Sequence, residues 1–136
     1  MNTKQLKHDF VTCGIVGCLM EFLFTGLKSL FIFKQRDLKC HSSLWMFPIY
    51  GLACFIKPFK THYHNLNVII RGIIYTILIF TCEFISGSIL KKFNSCPWDY
   101  SDKKHNVKGL IRLDYAPCWF LAGLTFEQIL KKDVTS

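Results

Sequence analysis

The sequence predicts an all-α protein, a four-helix transmembrane bundle whose second span is short and either kinked or re-entrant. Three observations predict it. Long apolar runs recur along the 136 residues, hydrophobic side chains make up 51% of the chain and aromatic ones 15%, and Lys and Arg gather at the ends of the runs. A run of about 20 apolar residues spans a bilayer core of roughly 30 Å. A formal net charge of +8 would suggest nucleic acid in a soluble protein. Here the cations follow the runs: Lys34, Arg36 and Lys39 the first, Lys57 and Lys60 the second, Lys91 and Lys92 the third, Lys131 and Lys132 the fourth. That is the pattern of snorkelling side chains that meet headgroups, so membrane lipids are the expected partners and nucleic acid is not. One polytopic domain over residues 1–136 is expected, integral to a membrane.

The first span, about residues 10–33, is too long for a signal-peptide core and lacks a small-x-small cleavage site, so it is expected to stay as an anchor. It carries Gly14, Gly17, Cys18, Glu21, Thr25 and Lys28 at helical spacings of three and four, a stripe of small and polar residues suited to packing against another helix. The second, about 44–60, is short for a span and holds Pro48 and Gly51, which is why a kink or re-entrant turn is expected. Gly72, Thr76, Glu83, Ser86 and Gly87 share one face of the third, about 68–90. The fourth, about 108–130, is expected to start from Asn106 as its N-cap, with Arg112 and Asp114 at its entrance and Glu127 near its exit. The cations divide almost evenly between the two faces of such a bundle and do not orient it.

Glu21 and Glu83 sit well inside apolar runs. A carboxylate at the bilayer centre costs about 2.5–3.5 kcal/mol on insertion scales, so it faces other helices or a wet cavity. These two are the candidate intramembrane polar site. A second candidate lies in the connection before the fourth span, where Trp98, Asp99, Tyr100, Ser101 and Asn106 combine an acid, a phenol and a hydroxyl beside Lys91, Lys92, Lys103 and Lys104. The loop is expected to fold back over the bundle mouth and place Asp99 above Glu83, its aromatic bodies anchored at headgroup depth. The alternative is a turn capped by Asp99 and Asp102 that only anchors.

Cysteine and histidine add little. Five of the seven Cys lie in or beside spans, where thiols act as small apolar groups, and only Cys40 and Cys96 share an aqueous side on which they could pair. His62 and His64 resemble a metal pair, but Cys40 and His41 fall on the opposite face, so no metal is expected. No nucleotide, hydrolase or glycine-rich cofactor motif occurs, and no cofactor is implied. Glu21-Phe22-Leu23 and Glu83-Phe84-Ile85 hint at a parallel duplication of two-helix halves.

The segments Leu44 to Gly51, Trp98 to Ser101 and Gly109 to Phe120 resemble the animal transmembrane protein 229 family, within a wider, mainly bacterial family described as putative ABC-transporter type IV. The resemblance covers nearly the whole chain. In the wider pattern a Glu in the first span corresponds to Glu21, a Pro-Ile-Tyr-Gly run to Pro48 to Gly51, and a Glu plus aromatic to Glu83 and Phe84. A Trp-Asp-Tyr-Ser loop corresponds to Trp98 to Ser101, and an Asn-x-x-Gly-x-Ile-x-Leu entry to Asn106 to Leu113. The chain departs from the bacterial lead-in before Pro48. The resemblance implies a multi-pass protein with a transport role. No phosphate-cradling Gly-x-x-x-x-Gly-Lys-Ser/Thr run is present, so the chain does not hydrolyse ATP by that route. Three functions are compatible with the residues: a permease-like subunit for a small solute or ion using Glu21 and Glu83, acting with further copies or a partner membrane subunit; a lipid-modifying enzyme built on Glu83, Asp99, Tyr100 and Asn106; and a structural adaptor in which the acids only join helices.

Overall fold

The computed structural model describes residues 2–32, 34, 43–63 and 65–135. It is all-α apart from one minimal hairpin: α1 (Thr3–Phe31), α2 (Met46–Gly51), a 3₁₀ segment (Leu52–Phe55), α3 (Ile56–Tyr63), α4 (Val68–Lys92), β1 (Asn106–Val107), β2 (Ile111–Arg112), a 3₁₀ turn (Leu113–Tyr115) and α5 (Ala116–Thr135). Contacts cluster into two compact units, Met1–Cys54 and Phe55–Ser136. Among the described residues two helices, α1 and α4, are long and apolar enough to cross a membrane, and Met46–Pro58 is a shorter apolar stretch.

The starts of α1 and α4 and the end of α4 have local causes. Asn2 accepts the Lys4 amide at 3.3 Å and Asn67 the Ile69 amide at 3.3 Å, capping two of the donors that the first turn leaves open. At the other end of α4, Asn94 turns left-handed at φ 53, and the Ser95 and Asn94 amides reach back to the Leu90 and Lys91 carbonyls at 2.8 and 3.1 Å. That is a Schellman stop with Asn in place of the usual Gly. The expected kink in the second span is the 3₁₀ segment. Pro58 has no amide hydrogen and its ring would meet the carbonyl of Cys54, so an α-helix cannot run unbroken through these residues. Pro48 and Pro58 each stand in the first turn of their helix, where no donor is needed.

The fourth helix starts later than expected. Asn106 is not its N-cap but lies in β1, opposite Arg112 in β2, and α5 begins only at Ala116. The reason is the left-handed pair Lys108 and Gly109, at φ 55 and 70, which closes a hairpin where a helix would need φ near −63°.

In the first unit Gly14 and Gly17 of the α1 stripe pack against α2. A Cβ on Gly14 would lie 2.9 Å from the Phe47 ring, and one on Gly17 would lie 2.2 Å from Tyr50 Cγ, so only glycine lets α2 approach this closely. Gly51 in turn accommodates Phe10, whose ring meets Phe47 edge to face at 6.3 Å. In the second unit α5 runs back along α4, with Gly123 against Tyr75 and Leu110 over Gly87. Hydroxyls within the helices mostly bond their own turn: Thr25 to the Glu21 carbonyl at 2.9 Å, Thr76 to Gly72 at 2.8 Å, Thr81 to Ile77 at 2.8 Å, Ser88 to Phe84 at 2.8 Å and Thr125 to Leu121 at 2.8 Å.

Candidate functional site

Two polar constructions stand at opposite ends of α4. Near its start, the Arg71 guanidinium grips the Glu127 carboxylate with two contacts, Nε to Oε2 at 3.3 Å and Nη2 to Oε1 at 3.2 Å, while Nη1 donates to the Leu66 carbonyl at 2.8 Å. The side chains are 16% and 3% exposed. Tyr75, one turn along α4 and 2% exposed, lies against the same carboxylate. Bidentate geometry and a backbone acceptor on the third nitrogen are what a charge pair needs when it leaves water.

The other construction is a cap over the far end of α4. Trp98 donates its indole hydrogen to the Leu110 carbonyl at 2.9 Å, and both side chains rest on Gly87. Asp99 Oδ1 accepts the Ser101 amide at 3.0 Å and the Ser101 hydroxyl. Asn106 holds the turn together: its amide donates to the Lys103 and Ser101 carbonyls and its Oδ1 accepts the Gly109 amide at 2.9 Å. The Tyr100 amide donates to the Gly109 carbonyl at 2.9 Å, and the Tyr100 ring meets Tyr115 edge to face at 5.9 Å. Arg112 lies 4.5 Å over the Tyr115 ring and bonds Asp114 at 2.7 and 2.9 Å. The Ser101 hydroxyl and amide, with Lys91 assisting, hold the exposed Asp99 carboxyl below the usual carboxylate range, and Arg112 does the same for Asp114.

Between cap and helix end lies an open pocket of about 210 Å³ lined by Lys91, Asn94, Cys96, Trp98, Asp99, Gly109 and Leu110. Gly109 is required there: its φ is 70, and a Cβ would lie 2.5 Å from Ser101 Oγ and 3.0 Å from Asp99 Oδ1. Gly109→Ala is expected to cost about 1–2 kcal/mol for the left-handed backbone alone. It should also displace Asp99, read as a shifted Trp98 emission in a background whose other two Trp are Phe. An unchanged melting temperature and spectrum would reject this account of the turn.

The residues Trp98, Asp99, Tyr100, Ser101 and Asn106, singled out in sequence, therefore meet in one cap. Glu83 does not line this pocket, and Trp98 and Leu110 rest on Gly87, one turn nearer the helix end. Glu83 is buried on α4 at 8% exposure, on the stripe shared with Gly87 and Lys91. Glu21 is half-buried on α1, in the other unit. Pairing of Cys40 with Cys96, and the His64 half of the histidine pair, fall outside the described residues; Cys96 itself is a free thiol directed at the Trp98 carbonyl at 3.2 Å.

Over residues 8–136 the chain matches the family model described as Putative ABC-transporter type IV. It belongs to that family. No solved structure matches it.

Within this family member, the Arg71–Glu127 pair is what sequence reading missed. In sequence Glu127 reads only as a residue near the exit of the fourth span, and its partner Arg71 lies 56 positions away. The available signal was topological. Consecutive antiparallel helices put the start of one level with the end of the next, where a lone Arg and a lone Glu compensate each other. Asp9 in the first unit, 0% exposed with the His8 ring 3.8 Å away, was not anticipated either.

Proposed function

We propose that the chain is a multi-pass, permease-like membrane subunit, a single polytopic domain that helps to move a small solute or ion and leaves ATP hydrolysis to a partner. The carrying observation is the inversion of polarity along α4. Glu83 is buried, while Ile69, Ile73, Ile77, Ile85 and Ile89 are 50–59% exposed on the same helix. Only 22% of the apolar window of α1, and of α4, is buried. A core helix of a soluble protein hides such residues; a lipid-facing helix displays them and keeps its charges inside. The family description supports a transport role. Within that family we place the chain with the animal transmembrane protein 229 group, on the segments Leu44 to Gly51, Trp98 to Ser101 and Gly109 to Phe120. Glu21 and Glu83 are the intramembrane polar groups of this reading.

Reconstituted proteoliposomes test it. The wild-type protein should speed the decay of at least one imposed proton, sodium, potassium or chloride gradient, and Glu83→Gln should slow that decay about tenfold at equal incorporation. Rates indistinguishable from empty vesicles for all four ions would reject the transport reading. In the same vesicles, with native thiols removed, Asn2→Cys and Asp99→Cys should react with an impermeant maleimide from opposite sides. Labelling from one side would reject four spans.

A further inference from the structure

We propose that the pocket between the cap and the end of α4 binds a phosphoethanolamine-type zwitterion, its ammonium against Asp99 and its phosphate against Lys91. Opposite charges line one cavity of about 210 Å³ without joining in an ion pair. A lone anion or cation placed there would satisfy one charge and face the other, whereas a compact zwitterion satisfies both. Asp99 is oriented for the task, since Oδ1 is taken by both Ser101 donors and Oδ2 is left without a partner among the described residues. A primary ammonium can donate to that oxygen, which a quaternary one cannot. Trp98 and Leu110 give the pocket an apolar floor for the two-carbon linker, and the indole hydrogen bond to the Leu110 carbonyl fixes that floor before any ligand arrives.

Two sources offer this chemistry, a phospholipid headgroup and a free solute. Lys91 stands in the last turn of a helix apolar enough to cross a membrane. That puts the pocket at headgroup depth, a placement that rests on the membrane reading above; the pairing of charges does not.

The full chain in detergent, titrated calorimetrically with O-phosphoethanolamine, inorganic phosphate and ethanolamine, tests the proposal without needing a bilayer. A failed membrane reading therefore leaves this result untouched. O-phosphoethanolamine should bind at least about tenfold more tightly than either half-molecule, a difference of about 1.4 kcal/mol. Asp99→Asn and Lys91→Gln should each remove at least that advantage. Lys92→Gln, next along the helix but outside the pocket, should not. Equal melting temperatures show that the variants fold. A short-chain phosphatidylethanolamine that binds more tightly than the free zwitterion assigns the site to lipid, and equal or weaker binding assigns it to a soluble ligand. Phosphate alone binding as well, unchanged affinity in both pocket variants, or no binding by any probe would overturn the proposal.

Discussion

Arg71→Met and Glu127→Gln are each expected to destabilise the second unit by about 3–5 kcal/mol, the penalty for leaving one member of a buried ion pair uncompensated. The Glu127 side chain is 3% exposed and answers to the Arg71 fork and to Tyr75 together, so neutralising it leaves the buried guanidinium without a counter-charge among the described residues. Arg71→Met combined with Glu127→Met should recover most of the loss, because apolar replacements of similar volume remove both desolvation costs at once. Denaturant titration in mixed micelles, followed by helical circular dichroism, measures all three. Single variants that fall within about 0.5 kcal/mol of wild type, the range of ordinary surface changes, would show that water reaches the pair and that it holds nothing.

Gly17→Ala should be nearly as damaging to the first unit, at about 1–3 kcal/mol for overpacking. The added methyl would stand 2.2 Å from Tyr50 Cγ and 2.4 Å from Tyr50 Cβ, near the root of the side chain, where no rotamer change clears it. Tyr50→Ala alone should also destabilise, by opening a cavity, and the double variant should cost less than the two singles added. A cysteine placed at position 47 offers the readout: its maleimide reactivity should rise when α2 lifts from α1. Strict additivity would mean that Gly17 and Tyr50 are not in contact.

Much of the fold was legible because apolar length and helical spacing are local properties. The Gly14 and Gly17 stripe, the break in the second span and the Trp98 to Ser101 cap all follow from residues near one another in sequence. The late start of α5 was hidden because Asn106 suits a helix cap and a hairpin equally well, and Gly109 two residues past Val107 decided between them through its left-handed φ. The Arg71–Glu127 pair was hidden for a different reason. Its members are 56 positions apart, and only the return of α5 along α4 brings them level.

The hydroxyls of α4 and α5 bear on how a helix is aimed. Thr76, Thr81, Ser88 and Thr125 return their protons to the preceding turn, so each is content whichever way it faces. Such residues are passengers. A helix furnished only with them could spin about its own axis without losing a hydrogen bond, and a scan of Ser and Thr to Ala along α4 would leave its facing unaltered. Azimuth is set instead by what cannot turn away: the bare backbone at Gly87 that receives Trp98 and Leu110, and the guanidinium of Arg71 that has one carboxylate to meet.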